Sequence, residues 1–599
     1  MGMTIGRKVF CYVLIGGLAC SIAVFAKSRD KEKENDSEVK FTAHTELVVI
    51  PVLVTDKSCA HISGIKKEDF TVLENGAEQK IATFEEITSD AQRYARPKNL
   101  KPNEFGNSVV GPASNRRITL MVLDLLNTRF ADQAYARQDL LKYLTQSVDQ
   151  REPTALYTLT RSGIHVIHDF TTDPRVLVAA LHKVKGDAYQ MVDGEEEVEA
   201  VTGTASPDGS AGAQSGGTSS NGGTSSSGGT SSPGGARSSG TASAVASEAQ
   251  KLQTMMEDQE LNFQSFQQRL AITYTLQALQ QVAQALSGFP GRKSLIWASG
   301  GFPFSVSDNT MQLAPAGRDS LTDVLPMYEH TWQLLNDAEI ALYPVDVKGL
   351  QVVGMPGASV SNPGRNYARN MSWRNLDTQA TLETFAAMTG GRAYFNSNDL
   401  IKGFRNAVDD SAEYYMLGYY LDRSKTKAGW RKLAVKVKRE HVDVRARSGF
   451  FVTNATIDPE SSRNSDVSSA LESPLDFTSL ALVARWDKIE AGKEPGKKHV
   501  NYEMHLAADP TLINEADNNH LVLEFVSVAI TPEGKRVDHA MGQTVDAHLT
   551  PQKLAAVRQI GLVYNGALDL APGEYTVRFV VRDDLSGRVG SVAAPLKVE

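Results

Sequence analysis

Continuous apolar runs and helical stripes alternate along the middle of the chain. Ile118-Thr119-Leu120-Met121-Val122-Leu123 is apolar on both faces of a strand, the pattern of a strand buried in a parallel sheet. Ser294 to Ala298 and Ile340 to Val345 repeat it, and Leu156–Thr160 and Ile164–Ile167 read as short strands. Between them the spacing predicts helices over Ala131–Val148, Pro174–Val184, Ser247–Leu286 and Thr381–Met388. Pro174 sits in a first helical turn, after Asp173 as N-cap, and Gly390-Gly391 stops the last helix. Strands alternating with helices predict an α/β class, a doubly wound and mostly parallel sheet.

The pattern differs at both ends. Leu47–Thr55 reads as a strand. Asp69–Glu74 is a second, running into the hairpin turn Asn75-Gly76, with Ile81–Ile87 as the return. Residues 41–88 therefore form a small N-terminal β unit, too small to stand alone. Residues 89–115 read as a polar connector. Strands also follow at Tyr414–Leu421, Lys432–Arg439 and Val442–Arg447, as a β extension of the central domain. Residues 453–474 are Ser-rich and read as a linker. Residues 475–599 alternate apolar and polar positions, as at Tyr575, Val577, Phe579 and Val581, and predict a β-sandwich-like C-terminal domain that folds alone.

From Gly203 to Ala242 the chain is almost only Gly, Ser, Thr and Ala, with Gly-Gly-Thr-Ser-Ser at 216–220, 222–226 and 228–232. Such a stretch has no apolar surface to bury and reads as a disordered insert in the α/β domain. At the N-terminus, Arg7-Lys8, the apolar run Val9–Ala26 and the cleavage-like Val24-Phe25-Ala26 read as a signal peptide over 1–26, with an uncleaved anchor as the alternative. Membrane contact is then confined to that segment, if it is retained. Residues 27–40 are a charged linker. The chain is read as exported: periplasmic, cell-surface or secreted.

Composition narrows the choices. Of the 599 residues, 41% are hydrophobic and 22% charged, which fits globular domains and excludes wholesale disorder. The net charge of −8 argues against a phosphate-binding, nucleic-acid role. Cys11, Cys20 and Cys59 make neither a zinc site nor a disulfide framework. No Gly-x-Ser-x-Gly elbow, Walker loop or HExxH motif occurs. His165 and His168 are three apart on a strand and face opposite sides, so they read as structural. Tyr414, Tyr415, Tyr419 and Tyr420 read as packing rather than a sugar platform.

Several blocks, in order, carry a family likeness. They are VVIPVLVTDK; KEDFTVLENG at 67–76; RRITLMVLDLLNT; GFPGRKSLIWASGGFPF; the turn Thr389–Arg392; YYMLGY at 414–419; and VRARSGF at 444–450. Residues 41–452 thus resemble the secreted von Willebrand factor A-related proteins described mainly from Acidobacteria; the C-terminal part has no such match. The resemblance implies a von Willebrand A-like domain over 116–452, including its β extension. It also implies a metal-ion-dependent adhesion site at the sheet's C-terminal edge, holding Mg²⁺ or another divalent cation and open to a partner's carboxylate. Carried onto this chain, the ligand set is Asp124, Thr128, Thr273 and Ser299. Leu126 stands where a serine is wanted, and the third loop, Ala298-Ser299-Gly300-Gly301, has no Asp. The site is degenerate, and millimolar affinity is the expectation. Asp124 is expected on an exposed loop, or as a cap of the loop and first helix together with Thr128. The implied role is a non-enzymatic, adhesion-type interaction module with a protein partner in the envelope or outside the cell. A metal-independent envelope scaffold and a secreted hydrolase are the alternatives.

Overall fold

The computed structural model describes residues 45–57, 60–88, 100–107, 118–146, 152–184, 239–302, 305–306, 313–314, 324–348, 379–395, 400–410, 413–422, 426–452, 459–492 and 494–599. All belong to the unit His44–Glu599. The leader, the 27–40 linker, Cys59 and the insert up to residue 238 lie outside the described residues.

The first part carries β1 (Thr45–Thr55), β2 (Phe70–Glu74), β3 (Ala77–Gln79), β4 (Thr83–Ile87) and β5 (Glu104–Gly106). Next come β6 (Thr119–Asp124), α1 (Phe130–Gln146), β7 (Thr154–Thr160), β8 (Gly163–Thr171), α2 (Pro174–Leu181), α3 (Ser239–Leu286) and β9 (Lys293–Ser299). The short pair β10 (Ser305–Val306) and β11 (Leu313–Ala314) precedes α4 (Leu325–Asp337), β12 (Ile340–Asp346), α5 (379–389) and α6 (Leu400–Asp409). Then follow β13 (Tyr414–Asp422), β14 (Gly429–Val437), β15 (Asp443–Arg445) and β16 (Gly449–Val452). The last part holds α7 (Pro459–Glu472), β17 (Leu482–Ala491), β18 (Lys498–Leu506), β19 (His520–Ile530), β20 (Arg536–His548), α8 (Pro551–Ile560), β21 (Leu562–Leu570), β22 (Gly573–Asp583) and β23 (Val589–Val598).

The chain is mixed α/β. Its central sheet has the order β12-β9-β6-β7-β8. β12, β9, β6 and β7 run parallel, and β8 returns antiparallel to β7. Every residue of β6, β9 and β12 is buried, which is why their sequences do not alternate. On β6, Leu120 and Val122 pack toward α3, α4 and α5, whereas Met121 and Leu123 pack toward α1, α2 and α6. Helices cover both faces, as a doubly wound sheet requires. Asp173 caps α2, its Oδ1 accepting from Arg175 N at 3.0 Å.

The N-terminal β unit is half of a larger body. β1 pairs with β13 and β15, and β2 pairs with β14. Two four-stranded sheets, β15-β1-β13-β4 and β16-β14-β2-β3, enclose Ile50, Val52, Phe70, Val72, Tyr415 and Leu417. Asn75 (φ 47°) and Gly76 (φ 85°) make the hairpin turn in the left-handed region. The returning strand is β3, not 81–87; β4 crosses to the other sheet and pairs with β13. Tyr414, Tyr415 and Tyr419 are buried, so packing is their role, while Tyr420 is exposed.

The C-terminal part is a sandwich of β21-β18-β17-β5 on β20-β19-β22-β23. It reaches beyond 475–599. β5, from the connector, is an edge strand paired with β17. Asn107 donates to the carbonyls of Phe477 and Leu480 and accepts from Leu482 N. The Ser-rich stretch before 475 is largely the helix α7, whose Ala470 and Leu471 pack with Phe477, Val526, Val580 and Val589. The sandwich also docks on the α/β unit. Thr478 N donates to Gln284 O at 3.0 Å and its hydroxyl to Ala285 O at 2.8 Å. A Cβ on Gly288 would lie 2.2 Å from Thr478 O, so only glycine admits this approach. No helix among the described residues is long and apolar enough to cross a membrane.

Candidate functional site

Strand order turns at β6: β7 lies on one side of it and β9 on the other. Ligands of open α/β sheets gather at such a switch point, beyond the strands' C-terminal ends. There the structure brings together Asp124, at the end of β6, and Ser299, at the end of β9. Thr128 completes the contact, its hydroxyl accepting from Gly300 N at 2.8 Å. Gly300 permits it, since a Cβ there would sit 3.0 Å from Asn127 O and 3.2 Å from Thr128 Cα.

Asp124 is not on an exposed loop. It is 0% exposed and ends the strand. Its Oδ1 accepts from Asn127 N at 2.9 Å. Its Oδ2 accepts from Asn127 Nδ2 at 2.9 Å, Trp297 Nε1 at 3.0 Å and Ser299 Oγ at 2.8 Å. Ser299 Oγ also lies 2.6 Å from Gly301 O, so its single proton is shared between two acceptors. Burial pushes the Asp124 carboxyl up, and the donors from Asn127, Ser299 and Trp297 pull it back only in part.

Thr273 is not in this group. Its hydroxyl donates to Arg269 O of its own helix at 2.9 Å. Thr275 is the residue that arrives, accepting from Asn127 Nδ2 at 3.0 Å while donating to Ala271 O at 2.7 Å. Two residues along a helix turn a side chain through about 200°, so the two threonines face different neighbours. Thr275→Val is expected to cost about 1 kcal/mol, the worth of one ordinary hydrogen bond, and Thr273→Val less than about 0.5 kcal/mol. Urea titration of both variants measures the difference.

Trp297, Thr275 and Asp346 complete the cluster and were not expected from the sequence. Asp346 ends β12 and pairs in register with Ser299. Burial pushes its carboxyl up, and Asp132 adds to this against Lys348. Lys348 N donates to Asp346 Oδ1 at 3.0 Å. A signal existed: both Leu120–Asp124 and Leu342–Asp346 are buried runs ending in Asp. A Trp inside a buried run also needs a partner for its indole N–H.

As hydrogen-bonded here, the cluster offers a divalent cation one oxygen without a hydrogen-bond partner, Asn127 Oδ1, beside a carboxylate already turned to donors, which is a poor fit. Mg²⁺ needs oxygen lone pairs turned toward it. Here Asp124 Oδ2 is faced by indole, amide and hydroxyl hydrogens, and an indole N–H is a donor only. Thr128 Oγ1 and Ser299 Oγ already accept from the backbone of Gly300 and Gly301. Among the described residues, no three His, Cys, Asp or Glu side chains converge as ligands.

Other candidates are structural. His165 Nε2 lies 2.8 Å from Ser162 Oγ and 3.1 Å from Thr160 Oγ1, closing the β7–β8 turn. His168 Nδ1 meets Asp169 O at 2.6 Å. Lys293 is buried and donates to Ala338 O at 2.6 Å; burial pushes its ammonium down to about 8. A cavity of about 190 Å³ lies between β1, β16 and the end of α4, bordered by Leu47, Glu339, Arg447 and Phe450. It is smaller than ordinary small-molecule pockets of about 300–1,000 Å³. It adjoins Glu339, just before β12, and so lies toward the strands' N-terminal ends. In comparisons with known proteins, no family model matches this chain and no curated protein matches it.

Proposed function

We propose that the chain is an exported, non-enzymatic protein-interaction module whose central unit is of von Willebrand A type. On this proposal the partner docks on the C-terminal edge of the sheet without a metal ion. The observation that carries the reading is the strand order β12-β9-β6-β7-β8, with a polar cluster of three separate strand ends and α3 at its switch point. Asp124, Asn127, Thr275, Trp297 and Ser299 are hydrogen-bonded to one another, with only Asn127 Oδ1 unpartnered among them, so they serve as the floor of the edge rather than as its contact surface. The contact falls to residues around it. Phe130, the first residue of α1, follows directly on the 125–129 loop and is 52% exposed. An exposed aromatic next to a rigid loop is the residue type that anchors protein interfaces.

The test is capture from an envelope extract on immobilised protein, with Mg²⁺, with chelator, and with Phe130→Asp. The expected result is a protein retained equally with Mg²⁺ and with chelator, and lost with Phe130→Asp. Loss with chelator alone would restore the adhesion-site mechanism. Retention by Phe130→Asp would favour the scaffold reading, in which this domain only supports its neighbours.

A further inference from the structure

The helix α3 is 48 residues long, or about 72 Å. Only its last third is a core helix: Ile272, Leu276, Leu279 and Val282 are each 0% exposed and pack in the α/β unit. Upstream, Met255, Met256 and Phe266 are between 57% and 65% exposed. Most of the large upstream apolar residues follow a rule, with Met255 and Leu261 outside it. Positions 245, 249, 252, 256, 259, 263, 266 and 270 step by four and three, and carry Val, Ala, Leu, Met, Gln, Phe, Phe and Leu. That is a heptad seam with one polar position, the device that sets register in coiled coils. Among its described positions the seam is exposed at Met256, Gln259 and Phe266 and meets the α/β core only at the last, Leu270, so its upstream part calls for a partner helix.

We infer that this arm pairs antiparallel with the same arm of a second copy of the chain. Antiparallel alignment centred between residues 257 and 258 sets Ala249 against Phe266 of the other copy and Leu252 against Phe263. It also sets Val245 against Leu270 and Met256 against Gln259. Small faces large in the outer layers, which fills them evenly. The same alignment brings Glu248 within two positions of register with Arg269 at both ends, each immediately before a seam position, where flanking residues form interhelical pairs. Area is sufficient. The two phenylalanines of each copy alone bring about 600–1,000 Å² in total, and the remaining seam carries the sum past the roughly 1,200 Å² of a stable interface. Geometry also selects the direction. Antiparallel pairing keeps the two α/β units at opposite ends of a seam about 39 Å long. Parallel pairing would crowd both onto one end. The arm's start is reached through residues 185–238, which lie outside the described residues, so no short described connection ties Ser239 back to α2.

The inference is independent of the docking edge, and its test reads mass rather than partner capture. Sedimentation equilibrium of the full chain at about 10 μM is expected to give twice the 65.0 kDa chain mass. Met256→Glu with Phe266→Glu is expected to give a single chain mass with unchanged circular dichroism, since both side chains are exposed. Glu248→Arg or Arg269→Glu alone should weaken the dimer about threefold to tenfold, and the two together should restore it. The inference is overturned if the wild type stays monomeric up to about 100 μM. It is overturned equally if the double glutamate variant remains dimeric. Failure of the paired charge swap to restore affinity overturns the antiparallel register, since a parallel pair would never bring 248 and 269 together.

Discussion

Asp124→Ala is expected to destabilise the α/β unit by about 2–5 kcal/mol, although a carboxylate at a strand end reads as a surface residue. Its removal leaves two buried donors, Asn127 N–H and Trp297 Nε1–H, without their acceptor. Each orphaned donor costs about 1–3 kcal/mol. Asn127 Nδ2 keeps Thr275, and Ser299 keeps Gly301 O, so neither adds a full penalty. Urea titration followed by tryptophan emission measures the loss, with Trp297 itself a reporter. A second signature comes from pH. Burial raises the folded-state pKa of Asp124 above 3.8, so the folded state binds this proton more tightly than the unfolded chain. Its contribution is fully present below the unfolded value and is lost as pH rises through the folded value. Asp124→Asn carries no such titration. The stability difference between wild type and Asp124→Asn should therefore fall as pH is raised from about 4, then level off. A loss below about 1 kcal/mol in Asp124→Ala, with no pH trend in the comparison, would return Asp124 to the exposed loop of an adhesion site.

How much of this was legible depends on whether a residue's role is local. The buried runs at 119–124, 293–299 and 340–346 announce themselves, because a strand covered on both faces has no polar face to show. Asn75-Gly76 and Asp173-Pro174 are equally local, since a turn and a cap are decided within four residues. Pairing is not local. β1 joins β13 across more than three hundred residues, so the sequence shows that residues 41–88 are too small to stand alone but not which strands complete them. The candidate site shows the same limit. Asp124 and Ser299 could be read as strand ends, but the Trp297 indole that meets Asp124 comes from 173 residues away. Thr273 and Thr275 differ only in helical phase, which a loose alignment does not resolve. α7 is hidden in the sequence for another reason. Its sequence, PESSRNSDVSSALE, has almost no apolar stripe, because polar anchors on the sandwich hold much of it in place.

The most buried of the arginines around α7 is Arg578, and Arg578→Met is expected to cost about 1–3 kcal/mol, the penalty for buried acceptors left without a donor, since its ion-pair partner Asp476 is 36% exposed. Arg578 is 4% exposed on β22. Its Nε donates to Ala470 O at 3.0 Å, its Nη1 to Asp476 Oδ1 at 2.9 Å and its Nη2 to Leu475 O. Methionine keeps the apolar stem and loses the fork, so packing is nearly conserved while three acceptors lose their donor. Burial already pushes Asp476 up, and Arg578 is the charge that opposes this. Arg463→Met supplies the comparison. Arg463 is also bidentate, to Glu524 at 2.6 and 2.7 Å, but here the arginine side chain itself is 32% exposed, so water can replace more of what it donates and the loss should be smaller. A fragment starting at 475 omits α7 and, like any such C-terminal piece, the edge strand β5. It should melt below a fragment starting at 459, because only the longer piece carries the pairs Asp466–Arg582 and Arg463–Glu524 and the Ala470 carbonyl that Arg578 reaches. Equal midpoints for the two fragments, with a loss under about 1 kcal/mol for Arg578→Met, would make α7 the passive linker that its composition resembles.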